Sequence, residues 1–304
     1  MDILMMSLNV LTFFVDLFSS IPYILLVLIL VPTIGFLLID KVMTSGINMR
    51  AALFEQDNPV AGFEFGGQIL LLIYAGFCAI MGPTVGSFGT DFLVAGGWII
   101  GSMVTITVVR GILGYMVKTH NGGNDLNHEI FVQRNWAAGC YSLALTIGIV
   151  SGLTEEDMFG SAPLRDLAIA ATVLGFGLSV GWLFRITHLH GRSAFHAMFT
   201  EDNSAAGVSL LGFAVAANII FAKAADLVRL MENGIGMTIG CVIFYSFFLL
   251  ALMSLLRTGM EYGLRLTLKV DITDETFAQK NVGAGFIDAS VTIGVALLLT
   301  GAIS

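Results

Sequence analysis

The chain reads FEQDNPVAG at residues 54–62, and the same pattern returns as FVQRNWAAG at 131–139, FTEDNSAAG at 199–207 and FAQKNVGAG at 277–285. Each copy places Phe, then Gln or Glu, a charged residue, Asn, and finally Ala-Gly in the same order. Recurrence of one pattern along a chain is the sequence signature of repeated structural units. The four motif copies, numbered one to four in chain order, therefore predict four related units.

The spacing of the copies groups the units in pairs. The asparagines Asn58, Asn135, Asn203 and Asn281 are 77, 68 and 78 residues apart, so copy one precedes copy three by 145 residues and copy two precedes copy four by 146. The residue before Asn is acidic in the odd copies and basic in the even ones. This alternation predicts two similar halves of two units each.

Composition places these units in a membrane. Apolar residues make up 56% of the chain and charged residues only 12%, which is too apolar for a soluble domain. A helix needs about 20 apolar residues to cross a bilayer. Eight such stretches are present, at 21–39, 59–82, 92–117, 136–152, 167–189, 204–222, 235–256 and 282–303.

The predicted fold is an all-α membrane protein with about eight transmembrane helices in four two-helix repeats. Two spans per repeat give every repeat the same orientation, so the pseudo-symmetry axis runs along the membrane normal, unlike that of inverted repeats. We predict four-helix domains at 21–158 and 159–304. Residues 1–20 are predicted to form an interfacial helix separated by a break at Ser19 to Pro22, with a ninth span as the alternative.

Loop charges predict which side the motif copies face. Lysine and arginine concentrate in the loops on the motif side, whereas the opposite loops are mainly acidic. Basic loops stay in the cytoplasm. The motif loops are therefore predicted to be cytoplasmic and both termini periplasmic, in a bacterial inner (plasma) membrane. The basic residues on the motif side are Lys41, Arg50, Lys118, Arg134, Arg192, Arg265, Lys269 and Lys280.

The four asparagines are predicted to cap helix N-termini. The side-chain oxygen of Asn accepts hydrogen bonds from the unpaired N–H groups of a first helical turn, and Pro59 suits the first helical position. The Ala-Gly that follows allows close helix packing. The alternative is that four helix N-termini converge on an anion site or pore mouth.

Five charged residues are predicted to lie in one layer inside the membrane. Because buried charges are costly in lipid, each is a candidate functional residue. One interpretation is structural: the arginines reach the interface or pair with the acids, for example Glu64 with Arg110. The other is an ion or proton path. The layer comprises Glu64, Asp288, Arg110, Arg185 and Arg257.

The sequence offers no catalytic motif. His188 and His190 do not share a helical face, and no cysteine or carboxylate stands at a ligand spacing, so we expect no metal and no cofactor. The cysteines Cys78, Cys140 and Cys241 are predicted to be buried, inert thiols, with an interhelical disulfide as the alternative. A net charge of −8 without a basic face argues against nucleic acid as a partner.

At its motif copies the chain resembles the bacterial membrane family known as domain of unknown function 350. Members of that family carry a Phe-to-Asn-x-Ala-Ala-Gly pattern twice in a four-span domain, so two domains in tandem would cover nearly all of this chain. Copy one departs from the pattern at Pro59 and Val60, and copy four at Gly283. The resemblance implies an inner-membrane location and a place in the cell envelope, and it implies no activity.

Three classes of function follow from these features. We expect a non-catalytic subunit or scaffold that packs through Gly/Ala-rich helices against lipid, copies of itself or other envelope proteins. The alternative is a channel or transporter for a small ion that uses the charged layer. A membrane-embedded enzyme is not expected, because no catalytic constellation is present.

Overall fold

The structure is a computed structural model that describes residues 18–303 except 45, 82–86, 121, 154–162, 190–192, 230 and 232–233. The described residues are helical or in turns, with no strand among them. Most of the predicted interfacial segment, residues 1–17, lies outside the described residues. The predicted break at Ser19 to Pro22 is wrong, because the described helix already includes Phe18 and continues through Pro22. A proline can be accommodated within an apolar membrane helix.

Eleven helices are labelled here in chain order. They are α1 (Phe18–Met43), α2 (Pro59–Met81), α3 (Phe88–His120), α4 (Trp136–Leu153), α5 (Pro163–Leu178), α6 (Val180–Thr187), α7 (Ala194–Phe199), α8 (Ser204–Arg229), α9 (Ile235–Leu268), α10 (Ile272–Phe277) and α11 (Val282–Ala302). The motif helices, each of which begins directly after a motif asparagine, are α2, α4, α8 and α11. The connector helices, each of which precedes a motif asparagine, are the π-helical segments Ala51–Glu55 and His128–Val132 together with α7 and α10.

Six of the described helices are long and apolar enough to cross a membrane: α1, α2, α3, α8, α9 and α11. The pair α5 and α6 makes a seventh candidate, bent by 57°. The apolar part of α4, Trp136–Val150, is shorter. The chain is therefore a multi-pass membrane protein with six to seven candidate spans, against the eight expected. The difference arises at α4, whose apolar part is too short to be counted, and at the bent pair α5 and α6, which counts only if the two helices form one span.

The four motif helices pack in a row, in the order α2, α4, α8, α11. Small residues set their spacing. A Cβ added at Gly207 would lie 2.8 Å from Ala137 Cα, and one added at Gly285 would lie 2.5 Å from the carbonyl oxygen of Ala205. The motif glycine, four residues after Asn, thus packs on the residue two after Asn in the preceding copy. Helix backbones can approach this closely only where side chains are small.

All four motif copies share one backbone turn. The residue before each asparagine has a left-handed backbone conformation, with φ between 47° and 58° at Asp57, Arg134, Asp202 and Lys280. Each asparagine N–H then donates to the carbonyl six residues earlier, at 2.8–3.1 Å. This turn ends the connector helix and starts the motif helix. Fourfold recurrence of such a turn at non-glycine residues shows that the motif specifies it.

Candidate functional site

The motif asparagines cap their helices. Asn58 Oδ1 accepts from the backbone N–H groups of Val60 and Ala61 at 3.0 and 3.2 Å. The other three copies repeat this geometry, with acceptor distances of 3.0 to 3.4 Å. One or two of the first-turn N–H groups, which a helix leaves unpaired, are therefore satisfied within each copy.

In the first three copies, the nitrogen of the asparagine side chain joins one copy to the next. Asn58 Nδ2 donates to the carbonyls of Ile130 and Phe131, both at 3.2 Å. In the same way, Asn135 Nδ2 donates to the carbonyl of Met198 at 3.0 Å, and Asn203 Nδ2 to that of Thr276 at 3.2 Å. Each acceptor belongs to the connector helix of the following copy. Sequence reasoning missed this second role, although Asp or Ser would have served for capping alone, so the choice of Asn in all four copies was a signal.

The charged residues before Asn strengthen the same junctions. Arg134 Nη2 donates to the carbonyl of Gln56 at 2.9 Å, and Lys280 Nζ to that of Glu201 at 2.7 Å. At the junction between the halves the acidic residue is the acceptor, because Asn135 Nδ2 also donates to Asp202 Oδ1 at 2.7 Å. The alternation of charge in the sequence thus corresponds to two kinds of junction.

The helix N-termini consequently lie side by side along a row. Asn58, Asn135 and Asn203 are buried between neighbouring copies. Asn281, at the end of the row, is exposed, and its Nδ2 donates to Glu275 Oε2 at 3.0 Å. The main contacts of the described helices follow this row and do not join α2 to α11. The arrangement therefore gives no closed ring for the anion site or pore mouth considered from the sequence.

The first half contains a buried cluster around Glu64. Arg110 Nε donates to Glu64 Oε1 at 2.9 Å, and Ser142 Oγ donates to the same oxygen at 2.6 Å. Gln68 Nε2 lies 3.3 Å from that oxygen and donates to Thr146 Oγ1 at 3.0 Å. The pairing of Glu64 with Arg110 is the one expected from the sequence. The whole cluster, with Ser142 and Thr146, links α2, α3 and α4.

Arg110 also binds the end of α1. Its Nη1 donates to the carbonyl of Met43 at 3.3 Å and to Asn127 Oδ1 at 2.9 Å, and Asn127 Nδ2 donates to the Met43 carbonyl at 2.9 Å. One guanidinium therefore connects α1, a motif helix and a connector. Such planar, multivalent binding is the property that favours arginine over lysine.

The second half contains the matching cluster around Asp288. Arg257 Nε and Nη2 donate to Asp288 Oδ1 at 2.9 and 2.7 Å. Ser209 Oγ donates to Asp288 Oδ2, and Glu261 Oε1 lies 2.7 Å from Arg257 Nη2. The acid and the serine have exchanged places between the halves. Glu64 follows its asparagine by six residues and Ser142 by seven, whereas Ser209 follows by six and Asp288 by seven.

Arg185 does not lie in either cluster. The structure places it on the exposed side of α6, whereas Arg110 and Arg257 are buried. The predicted depth in the membrane, which is similar for all three arginines, therefore did not decide which of them faces the protein interior. The other four members of the predicted charged layer form two ion-pair clusters, one in each half.

Two features of these clusters could admit water or an ion. In the first half, Glu64 Oε2, Gln68 Oε1 and Arg110 Nη2 are buried and make no hydrogen bond to the described residues, and such atoms are commonly satisfied by internal water. In the second half, a cavity of about 440 Å³ beneath α10 is lined by Arg257 and Glu261, among other residues. Buried charge in contact with a cavity is a feature of ion pathways.

Fold and site together define an α-helical multi-pass membrane protein whose repeated helices are joined by asparagine caps and buried ion pairs. The family model described as Domain of Unknown Function (DUF350) matches residues 159–303, which span α5 to α11. This match supports the family suggested by the motif copies, and it covers the second half of the chain. No curated protein and no solved structure matches the chain.

Proposed function

We propose that this protein is a non-catalytic subunit or scaffold of an envelope-associated assembly in a bacterial inner membrane. It consists of two DUF350 domains in tandem, at 21–158 and 159–304, with eight membrane helices in four parallel repeats. The face of the protein that carries the four motif copies is cytoplasmic. Its partners are membrane lipid, further copies of the chain or other envelope proteins, and the proposal includes no cofactor and no nucleic acid.

One observation carries this proposal: the motif asparagines bind backbone atoms of their own and the following copy. Asn58, Asn135 and Asn203 each use the oxygen for a cap and the amide for a junction. The most distinctive residues of the sequence are thus engaged in joining helices. Likewise, the main intramembrane charges are neutralised in pairs at 2.7–2.9 Å.

Reconstitution into liposomes tests the proposal. A scaffold should leave the permeability of the liposomes to protons, K⁺, Na⁺ and Cl⁻ at the level of protein-free vesicles, because its charged groups are paired inside packed helices. Affinity purification from the native membrane should also recover the chain in an assembly larger than its 32.5 kDa monomer. Ion flux that depends on the protein would contradict the scaffold and favour the second candidate.

The second candidate is a channel or transporter for a small ion. It is favoured by the cavity that contacts Arg257 and Glu261 and by the hydrogen-bonding capacity left at Glu64 and Gln68. If this candidate is correct, flux should fall in Glu261→Gln, which removes a charge from the cavity wall. The matched variant Asp274→Asn, at an exposed position of the same cavity lining, should retain more of the flux.

A further inference from the structure

The junction between the two halves has three recurrent features. The amide of Asn135 donates to Met198 and Asp202 of copy three. Gly207 packs directly on Ala137. The first residue of copy three, Phe199, is buried. Since the halves repeat with a period of 145–146 residues, each of these positions has a counterpart in copy one or copy four, at an end of the row of motif helices.

At the beginning of the row these features are uncovered. Phe54 is 76% exposed, whereas its counterparts Phe131, Phe199 and Phe277 are all buried. Gly62 is also exposed, and a Cβ added there would meet only Leu53, at 4.0 Å. The surface that copies two, three and four bury against a preceding copy is therefore left open by the described residues in copy one.

At the end of the row the complementary features are uncovered. Asn281 and Gly283 are exposed, whereas their counterparts Asn135 and Ala137 are buried. Phe286 is 58% exposed where its counterpart Cys140 is 1% exposed. The surface that copy two buries against copy three is therefore exposed in copy four.

Helix α1 also exposes residues whose counterparts in the second half are buried. Ile24, Leu25 and Leu28 on α1 are all exposed. The residues 145 positions later, Ile169, Ala170 and Val173, are all buried, on a helix that packs against α4. The exposed face of α1 therefore corresponds to a face that the second half buries against the first. Lipid alone could cover apolar side chains, but it does not account for the matching asparagine, glycine and carbonyl positions.

We infer that the open ends bind each other between molecules: α11 of one copy docks on α1 and α2 of the next, head to tail, through the interface that joins the halves. The amide of Asn281 then donates to the carbonyl of Leu53 and the carboxylate of Asp57 in the next copy, and Gly283 packs on Gly62. This inference deepens the proposed scaffold function and rests on it. The contact is heterologous, so it generates a ring if the rotation closes and a filament if it does not.

Disulfide trapping tests the contact directly. A Cβ added at Gly207 would lie 3.3 Å from Ala137 Cβ, near the distance of about 3.5–4.5 Å that a disulfide requires, so the counterpart pair is Gly62→Cys and Gly283→Cys. Two differently tagged full-length chains, each with one substitution, are co-expressed and oxidised in membranes. We expect a mixed dimer to exceed either same-position dimer about tenfold, while the unsubstituted chain, which retains Cys78, Cys140 and Cys241, gives none of these products. A 62–62 product in equal yield, or no mixed product, would overturn the inference.

Two further variants test the contact by interference. Gly62→Leu fills open space and leaves the monomer intact, and it should shift the mass measured in native nanodiscs to that of single chains. Gly111→Leu, at another exposed glycine with no neighbour within 4 Å, should leave the oligomer unchanged. Asn281→Asp keeps the cap acceptor, removes the amide donor and brings a second carboxylate towards Asp57, so it should also release monomers. The accompanying loss of monomer stability should be small, because the new carboxylate meets Glu275 of the same chain at an exposed site where water screens the repulsion.

The outcomes separate this contact from the scaffold function. Oligomers that persist in Gly62→Leu and in Asn281→Asp would disprove the head-to-tail contact, while the absence of ion flux would leave the scaffold standing. Protein-dependent ion flux would disprove the scaffold whether or not the contact forms. A wild-type chain that is recovered from the native membrane with other envelope proteins, but with no further copy of itself, would disprove the contact alone.

Discussion

At the scale of single residues, a primary amide can accept and donate hydrogen bonds at once. Asn135 uses both capacities. Its oxygen caps α4 through Ala138, and its nitrogen donates to Met198 and Asp202 across the junction. Asp or Ser could replace only the first of these functions. The sequence alone indicated the cap, and on that basis Asn135→Asp and Asn135→Ser would both be mild.

The structure predicts a different result for Asn135. Asn135→Ala should lose about 1 kcal/mol for the cap and about 1–3 kcal/mol more for the buried carbonyl left without a donor. Asn135→Asp should be at least as destabilising, because a carboxylate would face Asp202. Thermal unfolding in detergent measures both effects. Asn281→Asp, at an exposed cap, is the control and should cost less than Asn135→Asp in the monomer, because water screens the repulsion between the new carboxylate and Glu275. Wild-type stability of Asn135→Asp would contradict the junction role.

The ion pair of Glu64 and Arg110 gives a second prediction. Arg110→Leu alone leaves a buried carboxylate unpaired and should cost about 3–5 kcal/mol, whereas the double variant Glu64→Leu with Arg110→Leu should cost much less. The exposed pair of Arg265 and Asp271, at 3.0 Å, is the control, since breaking such a surface pair costs about 1 kcal/mol or less. A double variant as unstable as Arg110→Leu would show that the remaining contacts of the cluster matter more than the pair. Ion flux lost in a stable double variant would support transport.

At the scale of helices, the sequence predicted one span at 167–189, and the structure bends it between α5 and α6. Ser179 lies at the bend and its Oγ donates to the carbonyl of Phe176 at 2.8 Å, a side-chain bond that competes with the helix. Two residues earlier, Gly177 packs so closely on Gly148 that a Cβ at either position would overlap the backbone of the other. The bend thus follows the closest contact between α5 and α4.

This contact predicts opposite results for two neighbouring glycines. Gly177→Ala should push α5 away from α4 and lower the unfolding temperature, because the methyl group meets backbone atoms that cannot rotate aside. Gly175→Ala, on the exposed side of the same helix with no neighbour within 4 Å, should be neutral or slightly stabilising, since alanine favours helix over glycine. Differential scanning fluorimetry compares the two variants. Equal behaviour of both would show that α4 and α5 are not in backbone contact.

At the scale of the whole molecule, the motif copies lie side by side on one face of the protein. The side of the membrane to which this face is turned therefore sets the side of the other loops. We expect this face in the cytoplasm, because basic loop residues remain there. Ala278→Cys, exposed on the motif face, should resist an impermeant thiol reagent in intact cells, and Gly234→Cys, exposed near the start of α9 on the other side, should react. Gly122 is less suitable because its φ of +61° strains any side chain. The reverse labelling pattern would invert the topology.

The row of motif helices also explains why burial differs among equivalent positions. Phe54 and Asn281 carry the same motif residues as their buried counterparts, and they are exposed only because the row has two ends. Sequence similarity between copies cannot reveal this difference. It depends on whether a neighbour is present, which is a property of the assembly.

The sequence by itself determined the membrane class, the four motif copies, their caps and the residue types of the two ion pairs, because these depend on composition, local backbone geometry and depth along a helix. Tertiary structure alone decided that the asparagine amides join successive copies, that Arg185 lies outside both clusters, that α5 and α6 are bent apart, and that the motif helices form a row. Each of these depends on which helix lies beside which. The spacing of 77, 68 and 78 residues between asparagines gives the separation of the copies along the chain. Which residue each side chain contacts is set by the packing of neighbouring helices in the row.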